Sequence, residues 1–213
     1  VRNILFMNAP DDGINIQADD DVNLGNHIWI DHCSFTNAYD GALDVTHTPA
    51  YVTLSWNHFY NHNKTSLMGH SDSQVSDSAM KVTYHHNFFD GTIQRHPRIR
   101  FGKAHVYNNY YISNPATIYG VSSNLGAQAM VEGNYFVNNP IPTETSRDGS
   151  PPGNVVERDN IFINCGTPGT GGTVFEPSTY YSYSLDPASN VPSLLTSYAG
   201  SGRYDFSLLD SSV

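Results

Sequence analysis

One pattern dominates this sequence: a short apolar or β-branched run that ends in Asn, one further residue and then an aromatic ring. It stands as Val52-Thr53-Leu54-Ser55-Trp56-Asn57-His58-Phe59, again as Val82-Thr83-Tyr84-His85-His86-Asn87-Phe88-Phe89, and as Val106-Tyr107-Asn108-Asn109-Tyr110-Tyr111. Weaker copies end at Phe136 and Phe162. Upstream, Ile28 to Phe35 carries Cys33 where the others have Asn, and Asn3-Ile4-Leu5-Phe6 is a looser first copy. The anchors Phe6, Phe35, Phe59, Phe89, Tyr111, Phe136 and Phe162 are 29, 24, 30, 22, 25 and 26 residues apart. A period in the twenties with short strands and no long helical pattern predicts a β-solenoid. A sandwich would repeat its strands every ~8–12 residues. The expected fold is therefore all-β, a right-handed parallel β-helix in which like residues form columns ~4.8 Å apart. Asn suits the corner column because it tolerates left-handed backbone and satisfies turn groups, and the aromatics should stack inside.

After Phe162 the repeat fades. Residues 166–213 are rich in Gly, Pro, Ser and Tyr and are expected to pack as a loop-rich tail outside coils spanning about 1–165, the whole forming one domain. No run approaches the ~20 apolar residues of a membrane span. Ten basic against twenty acidic side chains, a formal net charge of -10, argue against general nucleic-acid binding. The charges are uneven, however. Residues 1–50 hold eight aspartates and one arginine, whereas six of the ten bases fall between Lys64 and Lys103.

The repeat turns that asymmetry into a spatial expectation. Five or six residues past successive anchors stand Asp12, Asp40, Lys64 and Arg95, followed in the next coils by Ala116 and Ile141. A charged column should thus cross four coils, acids at one end and bases at the other, with Asp44 and Arg100 flanking it. Clustered carboxylates repel one another, and a hard cation such as Ca²⁺ or Mg²⁺ relieves this. Neighbouring Lys and Arg would bind an anion beside that cation. A salt-bridge ladder between coils fits the same spacing.

These residues sit in longer strings: Ile28-Trp29-Ile30-Asp31-His32-Cys33, Asp40-Gly41-Ala42-Leu43-Asp44, Lys64-Thr65-Ser66-Leu67-Met68-Gly69-His70-Ser71-Asp72-Ser73 and Arg95-His96-Pro97-Arg98-Ile99-Arg100-Phe101-Gly102. In order, they resemble pectate lyases of polysaccharide lyase family 1, and Tyr119-Gly120-Val121-Ser122-Ser123 resembles the branch that includes pectate trisaccharide-lyases. The resemblance implies a parallel β-helix that cleaves polygalacturonate by calcium-dependent β-elimination. Residue by residue it implies Asp12, Asp40 and Asp44 as calcium ligands, Lys64 and Arg100 as substrate-binding bases and Arg95 as the catalytic base. Arginine normally stays protonated, with a pKa above ~12, but nearby cations favour the neutral form of a base, so an alkaline optimum is expected. A secreted, monomeric enzyme is expected on the same ground. Family members generally begin with earlier coils and a cap, so the direct entry of Val1 into a coil suggests a piece of a longer chain.

The alternatives differ in chemistry. A polygalacturonase needs two or three clustered carboxylates; Asp11-Asp12, Gly69-His70-Ser71 and Arg98-Ile99-Arg100 echo its strings but stand at the wrong spacing. A pectin lyase needs no calcium ligands, and a non-catalytic polysaccharide-binding β-helix needs no charged column. Asp31-His32 is expected to be structural. His85 and His86, as strand neighbours, should point to opposite faces. Cys33 and Cys165 are expected as free, buried thiols, Pro97 as the residue that fixes the loop aiming two of its neighbours Arg95, Arg98 and Arg100, and Asp19-Asp20-Asp21 as a solvated loop.

Overall fold

The structure is a computed structural model that describes residues 1–19 and 26–203. Each coil contributes one strand to each of three sheets, and every strand pairing between coils is parallel. The first sheet has seven strands: Leu5–Met7, Ser34–Thr36, His58–Tyr60, Phe88–Asp90, Tyr110–Ile112, Tyr135–Val137 and Ile161–Ile163. The second has six: Ile14–Gln17, Leu43–Thr46, Leu67–Met68, Arg98–Arg100, Val121–Asn124 and Thr143–Glu144. The third also has six: Ile28–Asp31, Val52–Ser55, Lys81–His85, Lys103–Tyr107, Gln128–Glu132 and Asn154–Arg158. This is the parallel β-helix the repeat predicted.

The seven aromatic anchors are in register across the first sheet, from Phe6 opposite Phe35 to Phe136 opposite Phe162. Their rings form one continuous stack, with centroids 5.1, 5.1, 5.1, 4.8, 4.2 and 5.2 Å apart. The five inner rings are essentially inaccessible to water. The inter-strand spacing nearly equals the offset-stacking distance of aromatic rings, so backbone pairing and ring packing reinforce each other. The aliphatic residues of the other two sheets, including Leu43, Val45, Leu54, Val82, Ile99 and Val131, fill the rest of the core.

Asn57, Asn87, Asn109, Asn134 and Asn160 form the predicted corner column. Asn57 and Asn87 each donate backbone N–H and side-chain Nδ2 to the next Asn Oδ1, and Asn109 and Asn134 do the same, at 2.8–3.1 Å. Cys33 ends the ladder by donating its backbone N–H to Asn57 Oδ1 at 2.9 Å. The left-handed residue is not the ladder Asn but the one before it: His32, Trp56, His86, Asn108, Gly133 and Asp159 all have φ between 47° and 62°. The turn therefore separates two tasks. One residue bends the chain, and the next extends its side chain to buried amides that would otherwise lack partners.

Two further expectations change. The strand Lys81–His85 ends at His85, and the left-handed His86 turns its ring back, so the two Nδ1 atoms meet at 2.9 Å instead of facing apart. Burial holds both imidazoles below their ordinary pKa, His85 at about 3, so this is one neutral ring donating to another. The tail is not all loop. Val191–Tyr198 is an α-helix with a proline in its first turn, and it buries Val191 and Leu195 against Phe88 on the outside of the first sheet. Asp31 is structural, as expected: it accepts from Arg2, Ser55 and His32 at 2.7–2.8 Å. Both cysteines are free, though only Cys33 is fully buried. Asp19 is exposed, and Asp20 and Asp21 lie outside the described residues.

Candidate active site

The charged residues gather where the chain passes from the first sheet to the second. Backbone bridges place Gly41 opposite Lys64, and Lys64 opposite Gln94. Asp12 is aligned with Gly41, because Gly13 N–H donates to the Gly41 carbonyl and Ile14 faces Leu43. The register is thus Asp12, Gly41, Lys64, Gln94. Asp40 precedes that row by one residue and Arg95 follows it by one, so the column expected from the anchors is staggered.

The stagger at Arg95 has a local cause. Lys64 opposes Gln94, yet Leu67 opposes Arg98, so the later coil holds one more residue over the same span. Arg95 takes left-handed backbone, φ 63°, at this bulge. Bulges re-aim side chains, and non-glycine residues in this region cost of order 1–3 kcal/mol. The peptide between His96 and Pro97 is cis. Arg95 Nε is buried without a hydrogen-bond partner among the described residues.

On the acidic side, the oxygens of Asp11, Asp12 and Asp40 approach within 4.8 Å of one another. Asp12 Oδ1 accepts from Gly41 N–H at 2.6 Å and Oδ2 from Asn15 Nδ2 at 2.8 Å. Asp40 Oδ1 accepts from Lys64 Nζ at 2.6 Å. Asp44 lies deeper, accepting from Leu67 N–H at 2.8 Å through Oδ1. Its carboxylate passes so close to Gly41 that a Cβ there would sit 2.5 Å from Oδ2, which is why a side chain cannot stand at that position. Burial, then the charge of Asp12, pushes the Asp44 carboxyl up to about 8. Asp11, absent from the sequence-derived ligand set, stands with Asp12 and Asp40 in this trio, and Asp44 lies beneath it; adjacency to Asp12 and the Asp11-Asp12 string were the signals for Asp11. The donor set is all oxygen and carries more negative charge than Lys64 offsets. It fits a hard divalent cation.

His62 was also missed. Its buried Nε2 lies 2.9 Å from the Asp40 carbonyl and 3.1 Å from the Lys64 carbonyl. As an Nε2–H donor to both oxygens, it fixes the acid-bearing and base-bearing turns relative to each other. Desolvation holds its pKa below the ordinary value, keeping it in the neutral form.

On the basic side, two excursions from the second sheet close over the arginines. Arg100 Nε donates to Asp72 Oδ1 at 2.7 Å, and Asp72 accepts from Ser150 Oγ at 2.6 Å. Arg98, almost buried, donates to Asp148 at 2.6 Å. Burial, then the neighbouring Arg98 charge, lowers the Arg100 pKa from its ordinary value. The bases between Lys64 and Lys103 do not form one face. Lys64, Arg95, Arg98 and Arg100 border the second sheet, while Lys81 and Lys103 begin strands of the third.

Comparison with known proteins gives this arrangement its context. The family model for pectate lyase matches residues 1–204. A pectate trisaccharide-lyase from a Thermotoga species is 38% identical over 252 aligned residues, covering 99% of this chain and 68% of that protein. The Bacillus licheniformis pectate trisaccharide-lyase is 37% identical, covering 83% of this chain and 52% of its own. Among solved structures, a pectate lyase variant from Xanthomonas campestris superposes with a TM-score of 0.82 at 30% identity, covering 95% of this chain and 69% of that one. A Bacillus pectate lyase solved in complex with trigalacturonate gives a TM-score of 0.77 at 27% identity, covering 96% and 68%. In class, then, the protein is a polysaccharide lyase built on a parallel β-helix. It belongs to the pectate lyase family.

Proposed function

We propose that the protein cleaves α-1,4-polygalacturonate by calcium-dependent β-elimination, releasing 4,5-unsaturated oligogalacturonides, and that it does so as a secreted monomer. The observation that carries this reading is the placement of Arg95 on a left-handed bulge next to the carboxylate cluster and near Arg100, with Nε buried and unpartnered. Asp12, Asp40 and Asp44 would hold the calcium ion, with Asp11 at the exposed rim. Bound there, calcium would offset the charge of a uronate carboxylate and of the enolate-like charge that develops on it.

The chain's own residues supply the rest. Lys64 and Arg100 bind sugar carboxylates; Asp72 takes Arg100 Nε and the Gly69 carbonyl takes Nη1, which leaves Nη2 to the substrate. Arg95 takes the proton from C5, the C–H electron pair becomes the C4–C5 double bond, and the C4–O4 bond breaks. The departing oxygen then takes a proton from water. An arginine acts as base only in its neutral form, and the share of that form grows with pH. Burial, then the Arg98 charge, lowers the pKa of the neighbouring Arg100. Turnover should therefore rise with pH.

The test is ultraviolet absorbance of unsaturated products on polygalacturonate and on esterified pectin, with and without a calcium chelator. A calcium-dependent rise on polygalacturonate, steepest in alkali, is expected. A rise indifferent to the chelator, or a rate peaking near pH 5, would sink the assignment.

A further inference from the structure

A second groove lies on another face of the coil, outside the third sheet, with a volume of about 750 Å³. Its floor is the outward residues of that sheet, and one wall is the chain from Phe175 to Ser184. Tyr181 and Tyr183 anchor this wall: Tyr181 Oη meets His105 Nδ1 at 2.5 Å, and Tyr183 Oη donates to Glu132 Oε1 at 2.6 Å. Tyr183 also lines the groove, as do Trp29, Tyr51 and Tyr180, which remain 52%, 47% and 44% exposed; the Tyr51 ring lies between the His27 ring, 5.3 Å away, and Lys81.

The groove's charge is the opposite of the protein's. The chain carries twenty acidic residues, yet among the described residues lining the groove none is acidic. Lys81 and Lys103 do line it, directly opposite each other on adjacent strands. Neither has an ion-pair partner among the described residues. Lys81 Nζ rests 4.9 Å over the Tyr51 ring and donates only to the Ala79 carbonyl at 3.3 Å. Two like charges side by side oppose each other. By contrast, Arg2, Lys64, Arg98, Arg100, Arg147 and Arg158 each rest on a carboxylate.

We propose that this groove is a non-catalytic binding site for an acidic polysaccharide, with a pyranose face against Trp29 and uronate carboxylates on Lys81 and Lys103. Aromatic rings offer the flat apolar surface that the C–H face of a sugar matches, and the two lysines supply the charge that a neutral glycan would not use. A polymer chain held there stays near an enzyme of this family while its cleavage site works on another stretch, which adds avidity without a new catalytic contact. The proposal stands independently of the roles assigned to Arg95 and the aspartates, because binding can be read without turnover.

The experiment is electrophoresis through native gels containing polygalacturonate or hydroxyethyl cellulose, with chelator throughout so that no cleavage occurs. The variant is Trp29→Thr with Lys81→Gln; Thr suits the strand position that Trp29 holds. The parent should be retarded by polygalacturonate and not by the neutral glucan. The double variant should bind about tenfold more weakly, having lost one ring contact and one charge contact, with kcat on trigalacturonate unchanged. Lys103→Gln alone, which leaves Trp29 untouched, should weaken binding and flatten its salt dependence. Equal retardation of parent and both variants, or equal retardation of the parent by the neutral glucan, would overturn the proposal. Melting curves of the variants separate lost binding from lost folding.

Discussion

Replacing Asp44 by Asn should change the pH dependence of stability more than any other single substitution at the acid cluster. Asp44 is 5% exposed, and its carboxyl is pushed up to about 8 from 3.8, first by burial and then by the charge of Asp12. Its folded pKa lies above its unfolded one, so the stability it contributes is fully present below pH ~4 and is lost as the pH rises to ~8. Each pH unit inside that window costs the calcium-free protein up to ~1.4 kcal/mol. Part of the Asp44 shift comes from the charges of Asp12 and Asp40, so about 3 kcal/mol over the window is the expected total. At ~2–4 °C per kcal/mol for a chain of this size, that is a fall of roughly 6–12 °C in Tm. The amide of the Asp44→Asn variant keeps an acceptor for Leu67 N–H and carries no charge, so the variant should lack the fall. The assay is thermal unfolding from pH 4 to 8 in chelator, then with added calcium. Calcium should restore the wild type most at high pH, where it relieves an ionised Asp44, and should stabilise the variant much less. Parallel curves for the two proteins in chelator would refute the reasoning.

Other outcomes follow from the same geometry. Arg95→Lys keeps a cation but loses the guanidinium placed by the bulge; turnover should fall by at least ~100-fold, within the range that general-base loss produces, while polygalacturonate binding in equilibrium titration stays within a few-fold. His62→Ala removes the donor shared by the Asp40 and Lys64 carbonyls; calcium affinity by calorimetry should drop ~10-fold, as for lost outer-shell partners of other metal sites. Asn109→Ala strands the buried Asn87 backbone N–H and takes one partner each from Asn87 Nδ2 and Asn134 Oδ1, and urea denaturation should show a loss of about 2–4 kcal/mol. Phe89→Ala opens the middle of the ring stack between Phe59 and Tyr111 and should cost about 3–5 kcal/mol by the same measurement.

The sequence by itself determined the solenoid and its core. All seven aromatic anchors chosen from spacing are paired in the first sheet, and the Asn column runs where the repeat put it. That follows from physics that acts once per coil: parallel pairing fixes the rise, and any residue repeated at one offset meets its copy. The charged row of Asp12, Asp40, Lys64 and Arg95 was legible for the same reason, to within one position. Tertiary structure decided what the period does not carry. The extra residue at Arg95 shifts it out of line, because connections between the first two sheets vary in length from coil to coil. Asp11 enters the acid cluster and Asp44 sinks beneath it, since burial depends on Gly41 and Leu67 and not on sequence distance. His86 turns onto His85 because left-handed backbone ends the strand alternation there. The basic residues between Lys64 and Lys103, one cluster along the chain, divide between two faces once the coil turns its corner at Phe101 and Gly102. A repeat specifies which residues stack; only the folded coil specifies which way each column faces and what lies beside it.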